Sequence, residues 1–332
     1  MRAAVITQYN QPWEIKNLPD PKPGAGQVLV RVEASGMCGG DIHLHHGHFP
    51  LTPPVVAGHE PVGQIVEVGP GVTTLRVGDR VGVSWHQRGC GRCHFCQEHR
   101  WTYCAELQTW MQLGGGNAEL MLAWEQGCTL VPSSLRSEDA APIFCAGHTV
   151  MSALRRAAPR PGDRVAVLGI GGLGHMALQC AKALGHPTVA VTNTESKRRE
   201  AESLGADEVV LAGDDPGAAL RAAGGADVIV STTNSAAQIS KALSGLRIEG
   251  RLVNVGAPDG PIQLNAMQQF LMQTSLMGST MGPRRDLLDV LDLAVAGKVR
   301  ATVETYPLDR VNDVRERLEA GKMRYRAVLT LH

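Results

Sequence analysis

The chain has 332 residues, 43% of them hydrophobic and 19% charged, which supplies apolar material for two domains at about 150 residues each and excludes a disordered chain. Lys plus Arg and Asp plus Glu each number 32, so the formal charge is zero and no global field would gather nucleic acid or anionic membrane. No apolar run approaches the roughly 18 residues of a membrane span, and the run Ala3 to Ile6 stops at Thr7, so a cytoplasmic protein with no membrane or nucleic-acid partner is expected.

Up to about residue 125 the pattern is β-rich: VLVRVEA from Val28, QIVEVG from Gln64 and DRVGVSW from Asp79 run or alternate apolar between Gly and Pro breaks. From about Arg160 the rhythm becomes strand, Gly turn and Ala-rich helix, with strands VAVL (165–168), TVAV (188–191), EVVL (208–211), DVIV (227–230) and RLVNV (251–255). That alternation predicts βαβ units around a parallel sheet, with a sixth strand near Ser275 to Thr280. The tail carries a helix, DLLDVLDLAVAG, and two strand-like pieces, Ala301 to Tyr306 and Arg326 to Leu331, expected to return to the first domain.

GIGGLG starts at Gly169, directly after VAVL and before a helix, so Gly169, Gly171 and Gly174 have the GxGxxG spacing, with Gly172 and Leu173 inside it. Such a turn lets a pyrophosphate approach the backbone and meet the free N–H groups of the helix N-terminus. An acid about 20 residues on would bind the ribose of NAD. The second strand instead ends at Thr192 and Asn193, with Lys197 and Arg198 beyond. NADP is therefore favoured over NAD, the rival being an NAD site served by Glu195.

Eight cysteines in a long chain are a poor disulfide scaffold. Cys90, Cys93, Cys96 and Cys104 have the spacing C-x2-C-x2-C-x7-C, which suits a closed tetrahedral Zn2+ site. The rival, an iron–sulfur cluster, has three residues before its last Cys and Pro after it; here there are seven, and Ala105 follows. Cys38, His59 with Glu60, and Cys145 form a scattered set matching a catalytic zinc with an open position. Two zinc ions per chain are expected.

These residues resemble the medium-chain alcohol dehydrogenases. GHEPVGQIVEVG from Gly58 fits their zinc motif GHE-x2-G-x5-G, and GMCGGDIH from Gly36, the four-Cys lobe, CAGHT from Cys145, GIGGLGH from Gly169 and RAVL from Arg326 follow in the family's order. The resemblance implies a GroES-like catalytic domain at 1–147, with a zinc lobe at about 88–106, a Rossmann domain at 148–284 and a return to the catalytic domain at 285–332. It implies that Cys38, His59 and Cys145 hold catalytic zinc and that Glu60 approaches it during exchange. It further implies that Asp41 bonds the free nitrogen of His59, that Thr149 and the Val255 to Gly256 turn line the nicotinamide, and that Arg326 meets the cofactor phosphates. The implied reaction is reversible hydride transfer between an alcohol and NADP or NAD, in a homodimer or homotetramer.

The sequence departs from the family at Gly40, where a Ser or Thr usually begins the proton relay. His43 still matches the relay histidine, so a bridging water or direct proton loss replaces the hydroxyl. His45, His46 and His48 are read as a solvated loop rather than a metal tract, and the role of His148 is open. Gly40, Phe49, Trp85 and Trp110 are candidates for the substrate pocket, with core packing the alternative for the tryptophans. The rival functions are a polyol or amino-alcohol dehydrogenase, a zinc-free quinone reductase, and a non-catalytic zinc- and dinucleotide-binding protein.

Overall fold

The computed structural model describes residues 1–331. The chain divides into two compact units, Met1–Cys145 joined by Ala301–His332, and Ala146–Arg300.

The first unit is a GroES-like sheet domain built on the strand Gln27–Met37, where Val28, Val30 and Val32 face the core and the opposite face is covered at Leu29 and Ser35 but exposed at Arg31. The sheet runs Cys128–Leu130, Arg80–Val83, Glu60–Val68, Gln27–Met37, Arg326–Thr330, Val303–Pro307, with Leu120–Trp124 also paired to Gln27–Met37. Ile65, Val81, Val83, Met121 and Leu329 complete that core. Register decides where the chemistry lies. Antiparallel pairing sets Gly36 opposite Glu60 and Met37 opposite Ala327, so Cys38, His59 and Arg326 emerge at one end of three adjacent strands. Gly36 is required there, because a Cβ would lie 2.0 Å from Glu60 Oε2. Below a two-stranded base of His86–Arg88 and Gln108–Thr109, the short helix His94–Gln97 sits inside the four-Cys lobe.

The second unit is a six-stranded, wholly parallel sheet in the order Glu208–Leu211, Thr188–Thr192, Val165–Leu168, Ala226–Ser231, Leu246–Asn254, Ser275–Gly278. Numbered along the chain this is 3-2-1-4-5-6, the doubly wound Rossmann order, whose strand order reverses beside Val165–Leu168. All four residues of that strand are buried, as a central parallel strand covered on both faces requires.

One boundary differs from the expectation. The helix Arg284–Val295 stays with the second unit, where Leu287, Val290 and Leu291 are buried and Arg155 of the helix Ala146–Ala157 pairs with Asp286 at 2.8 Å and with Asp289. Gln179 then clamps the chain through Arg300, donating to its carbonyl at 3.0 Å and accepting from its N–H at 2.9 Å. The return to the first unit therefore begins at Ala301 rather than at 285. No helix among the described residues is long and apolar enough to cross a membrane.

Candidate active site

Cys38 ends the strand Gln27–Met37 and caps the helix Gly39–His45. Its Sγ accepts from Gly40 N at 3.2 Å, and Asp41 Oδ2 accepts from Cys38 N at 2.9 Å. The reciprocal cap fixes the sulfur on the helix axis. His59 Nε2 approaches Cys38 Sγ at 3.2 Å, and Cys145 Sγ lies 3.9 Å from the same sulfur. On the other face of the imidazole, Nδ1 is 3.4 Å from Asp41 Oδ1. Glu60 Oε1 is 3.6 Å from His59 Nε2 and accepts from Arg326 Nη2. Asp41, Glu60, His59 and Arg326 are all buried.

Donor atoms of Cys38, His59, Glu60 and Cys145 all lie within 4.8 Å of one another. Tetrahedral zinc with sulfur at about 2.3 Å separates two sulfurs by roughly 3.8 Å, close to the 3.9 Å between Cys38 and Cys145. Glu60 Oε2 is buried with no hydrogen-bond partner, a spare oxygen directed at no protein donor. The residues fit a zinc ion.

The Cys145 thiol hydrogen bond and the charge of His59 hold Cys38 well below the usual thiol range despite burial, and the same contact pushes Cys145 up. Burial opposes the charge of His59, but Asp41 and Cys38 outweigh it and raise its pKa. Burial carries Glu60 up to about 7 although Arg326 pulls the other way.

The sulfurs of Cys90, Cys93, Cys96 and Cys104 also lie within 4.8 Å of one another. Backbone N–H groups of Cys93 and Glu106 point at the sulfurs of Cys90 and Cys104 at 3.4 and 3.3 Å. N–H donors of this kind favour thiolate, and hydrogen bonds from the Arg92 and Cys93 backbone lower Cys90 to about 7.

In the second unit the GIGGLG turn needs its glycines: Gly169 has φ +89°, and a Cβ on Gly174 would lie 1.9 Å from Gly169 O. The turn leads into the helix Gly174–Ala183, the geometry that presents N–H groups to a phosphate. Lys197 Nζ reaches back to donate to Ile170 O at 3.1 Å, Thr192 is buried at its strand end and Asn193 is exposed. Val255 N donates to Ser231 O at 2.9 Å, holding the turn after Leu246–Asn254. Thr149 is buried in the helix Ala146–Ala157, and His148 meets Pro283 O at 3.2 Å.

The aromatic candidates gather on His59. Trp85 meets its ring edge-on at 5.0 Å, Trp110 stacks on it at 6.3 Å, and Phe49 packs on Trp85 at 5.5 Å. Trp110 is 1% exposed and belongs to the core, whereas Phe49 and Trp85 are half-buried. At Gly40 a Cβ would come 3.1 Å from His59 Cε1 and 3.4 Å from Cys38 Sγ, tighter than ordinary van der Waals contact, so a side chain there would press on two of the ligands. The Glu60–Arg326 pair is the element that sequence reasoning missed. An arginine heading the apolar run AVL of a central strand was the available signal, because a buried charge must find a partner.

Comparison with known proteins extends these observations. Residues 24–133 match the family described as alcohol dehydrogenase GroES-like domain, and residues 172–296 match that described as zinc-binding dehydrogenase. An alcohol dehydrogenase of Geobacillus stearothermophilus is 42% identical over 99% of this chain and 99% of its own length. A mannitol dehydrogenase of Petroselinum crispum is 35% identical over 92% and 94%. The crystal structure of the alcohol dehydrogenase of Aeropyrum pernix superposes with a TM-score of 0.92 at 33% identity, covering 100% of both chains. The chain is thus an enzyme of alcohol and carbonyl oxidoreduction, acting on small molecules with zinc and a nicotinamide dinucleotide, and it belongs to the zinc-dependent medium-chain alcohol dehydrogenase family.

Proposed function

We propose that the chain interconverts an alcohol and its aldehyde or ketone with NADP in preference to NAD, using one catalytic zinc held by Cys38, His59 and Cys145 and one structural zinc held by Cys90, Cys93, Cys96 and Cys104. The observation that carries this reading is the convergence of two thiols, an imidazole and a carboxylate within 4.8 Å, with Cys38, His59 and Glu60 buried. When bound, zinc supplies Lewis acidity to the substrate oxygen, and the nicotinamide takes up or returns hydride. Asp41 fixes the His59 tautomer so that Nε2 faces the donor set. Arg326 holds Glu60 beside that set through the oxygen nearest His59, so release of this bond lets the carboxylate join the set during ligand exchange. His43, on the same face of its helix as Gly40, takes the proton that the alcohol loses. Trp85, backed by Phe49, forms an apolar wall against His59, and Gly40 keeps a side chain from pressing on the ligands.

The preference for NADP rests on Thr192, Asn193 and Lys197. Glu195, which would serve a ribose hydroxyl, is engaged by Arg198 at 2.7 and 3.1 Å. Thr149, the Val255 turn and Arg326 complete the proposed cofactor contacts. A polyol substrate is the second reading, favoured by Gly40 and by the mannitol dehydrogenase relative. Four clustered cysteines that serve as metal ligands and form no disulfide fit a reducing cytoplasm. Exposed Leu264, Met267, Phe270 and Leu271, beside the edge strand Ser275–Gly278, support a homodimer or homotetramer.

One experiment tests the core of this. Metal analysis should find two zinc ions per chain, and Cys38→Ser or His59→Ala should remove one of them and abolish turnover while dinucleotide binding persists. Turnover measured with each cofactor should favour NADP. A single zinc in the unaltered chain would overturn the catalytic assignment, and a strong preference for NAD would overturn the cofactor assignment.

A further inference from the structure

Four histidines lie within six positions of one another at the end of the helix Gly39–His45, and their ring nitrogens are not equivalent. His45 accepts from Trp13 Nε1 at 3.1 Å on Nδ1, and its Nε2 faces Arg315 Nη1 at 3.4 Å. His46 uses Nδ1 on Asn10 Oδ1 at 2.6 Å and Nε2 on Glu319 Oε1 at 2.8 Å. Both are spent. His43 and His48 differ: their Nδ1 atoms lie 3.0 Å apart, and neither Nε2 has a protein partner among the described residues. The chain folds back to make the pair, His48 N donating to His43 O at 2.9 Å.

His43 stands on the face of its helix that meets the metal ligands. Residues three apart share a helix face, and Gly40, three before His43, is the position whose Cβ would touch His59 and Cys38. Burial, and then the neighbouring His48, hold His43 below the ordinary imidazole range, with Cys38 opposing. A single hydrogen fits between two Nδ1 atoms 3.0 Å apart, so one ring donates at that contact and the other accepts. The other charged or titratable groups around the pair are His46, whose ring is 5.8 Å from His48, and behind it His45, Arg315 and Glu319.

We propose that His48 is the outward member of a two-imidazole proton relay, receiving from His43 the proton that alcohol oxidation releases and passing it to solvent. The inference rests on the reading of His43 given above. The carbon-bound hydrogen leaves as hydride, with its electron pair, to the nicotinamide. The hydroxyl proton crosses one water, in place of the hydroxyl that Gly40 lacks, to His43 Nε2. The Nδ1 proton of His43 moves to His48 Nδ1, and His48 releases its Nε2 proton. Both rings end neutral with their tautomers exchanged; carbonyl reduction restores them along the same path, and in successive oxidations each ring regains its starting tautomer by proton exchange with water before the next alcohol binds.

The test compares His43→Asn, His48→Asn and the unaltered zinc-loaded enzyme in alcohol oxidation as the concentration of MOPS, a buffer that does not coordinate zinc, is raised. Ring-nitrogen NMR of His43 is followed in parallel in the absence of substrate. His48→Asn is expected to turn over on the order of tenfold more slowly in dilute buffer, to recover as MOPS is added, and to raise the titration midpoint of His43. His43→Asn should be slow at every buffer concentration. If His43→Asn is slow while His48→Asn matches the unaltered enzyme in rate and leaves the His43 titration unmoved, the role of His48 is overturned and that of His43 stands. If neither variant is slowed, the reading of His43 fails as well.

Discussion

The Glu60 carboxylate is buried with one oxygen on the Arg326 guanidinium and the other without a partner. A pair of this kind contributes little when intact, but removing one member strands the other charge. Arg326→Met should therefore cost about 3–5 kcal/mol in chemical unfolding, and adding Glu60→Gln should recover part of that loss. Equal losses in the single and double variants would show that packing, not charge, carries the effect. His86 presents the opposite case, a buried histidine with no partner on Nδ1. Burial lowers its pKa from 6.5 to about 4, so the unfolded chain binds this proton first. The stability it contributes is complete above pH 6.5 and is lost as pH falls toward 4, by roughly 2 kcal/mol between pH 7 and 5. Unfolding midpoints of His86→Gln should show a shallower acid slope than the unaltered protein over that window. Other acid-labile groups, the zinc ligands included, affect both proteins alike.

At the scale of elements, what the sequence disclosed depended on whether a local pattern has one physical solution. The run VAVL followed by GIGGLG admits little else: a strand buried on both faces, then a turn that only glycine tolerates at φ +89°, then a helix. The four cysteines between 90 and 104 were equally legible, because ligand spacing within one loop is local geometry. The helix Arg284–Val295 was recognisable as amphipathic, but its apolar stripe says only that it packs, not against what. Its placement depends on Arg155 and Gln179, more than a hundred residues earlier. Likewise the Arg326–Glu60 contact joins residues 266 apart in sequence, and only strand register brings them together. The cysteine lobe yields a prediction at this scale. Its helix His94–Gln97 is a single turn with no buried residue, so the metal is its main source of order. Cys96→Ser should bind one zinc instead of two and become sensitive to trypsin at exposed Arg92, while the strands on either side resist. A lobe that stays resistant without its metal would contradict this.

For the molecule as a whole, the second unit carries the surface that a solitary chain has least reason to keep. Met267, Phe270 and Leu271, on the helix Ala266–Met272, are exposed by 65, 75 and 66%. The adjacent strand Ser275–Gly278 closes one end of the parallel sheet and leaves its outer backbone edge unpaired among the described residues. Exposed apolar side chains beside an open edge invite a second strand, and proteins that remain monomeric usually protect such an edge with charge, proline or a covering loop. A second copy meeting this one about a twofold axis would pair edge with edge and bury the same side chains twice, as an isologous interface requires. Phe270→Asp with Leu271→Asp places two charges where the apolar contact would form and leaves the sheet core untouched. Sedimentation should then show at least a halving of mass, with far-UV circular dichroism unchanged. If the mass is unaltered, this surface holds no second copy, and these apolar residues need a different explanation.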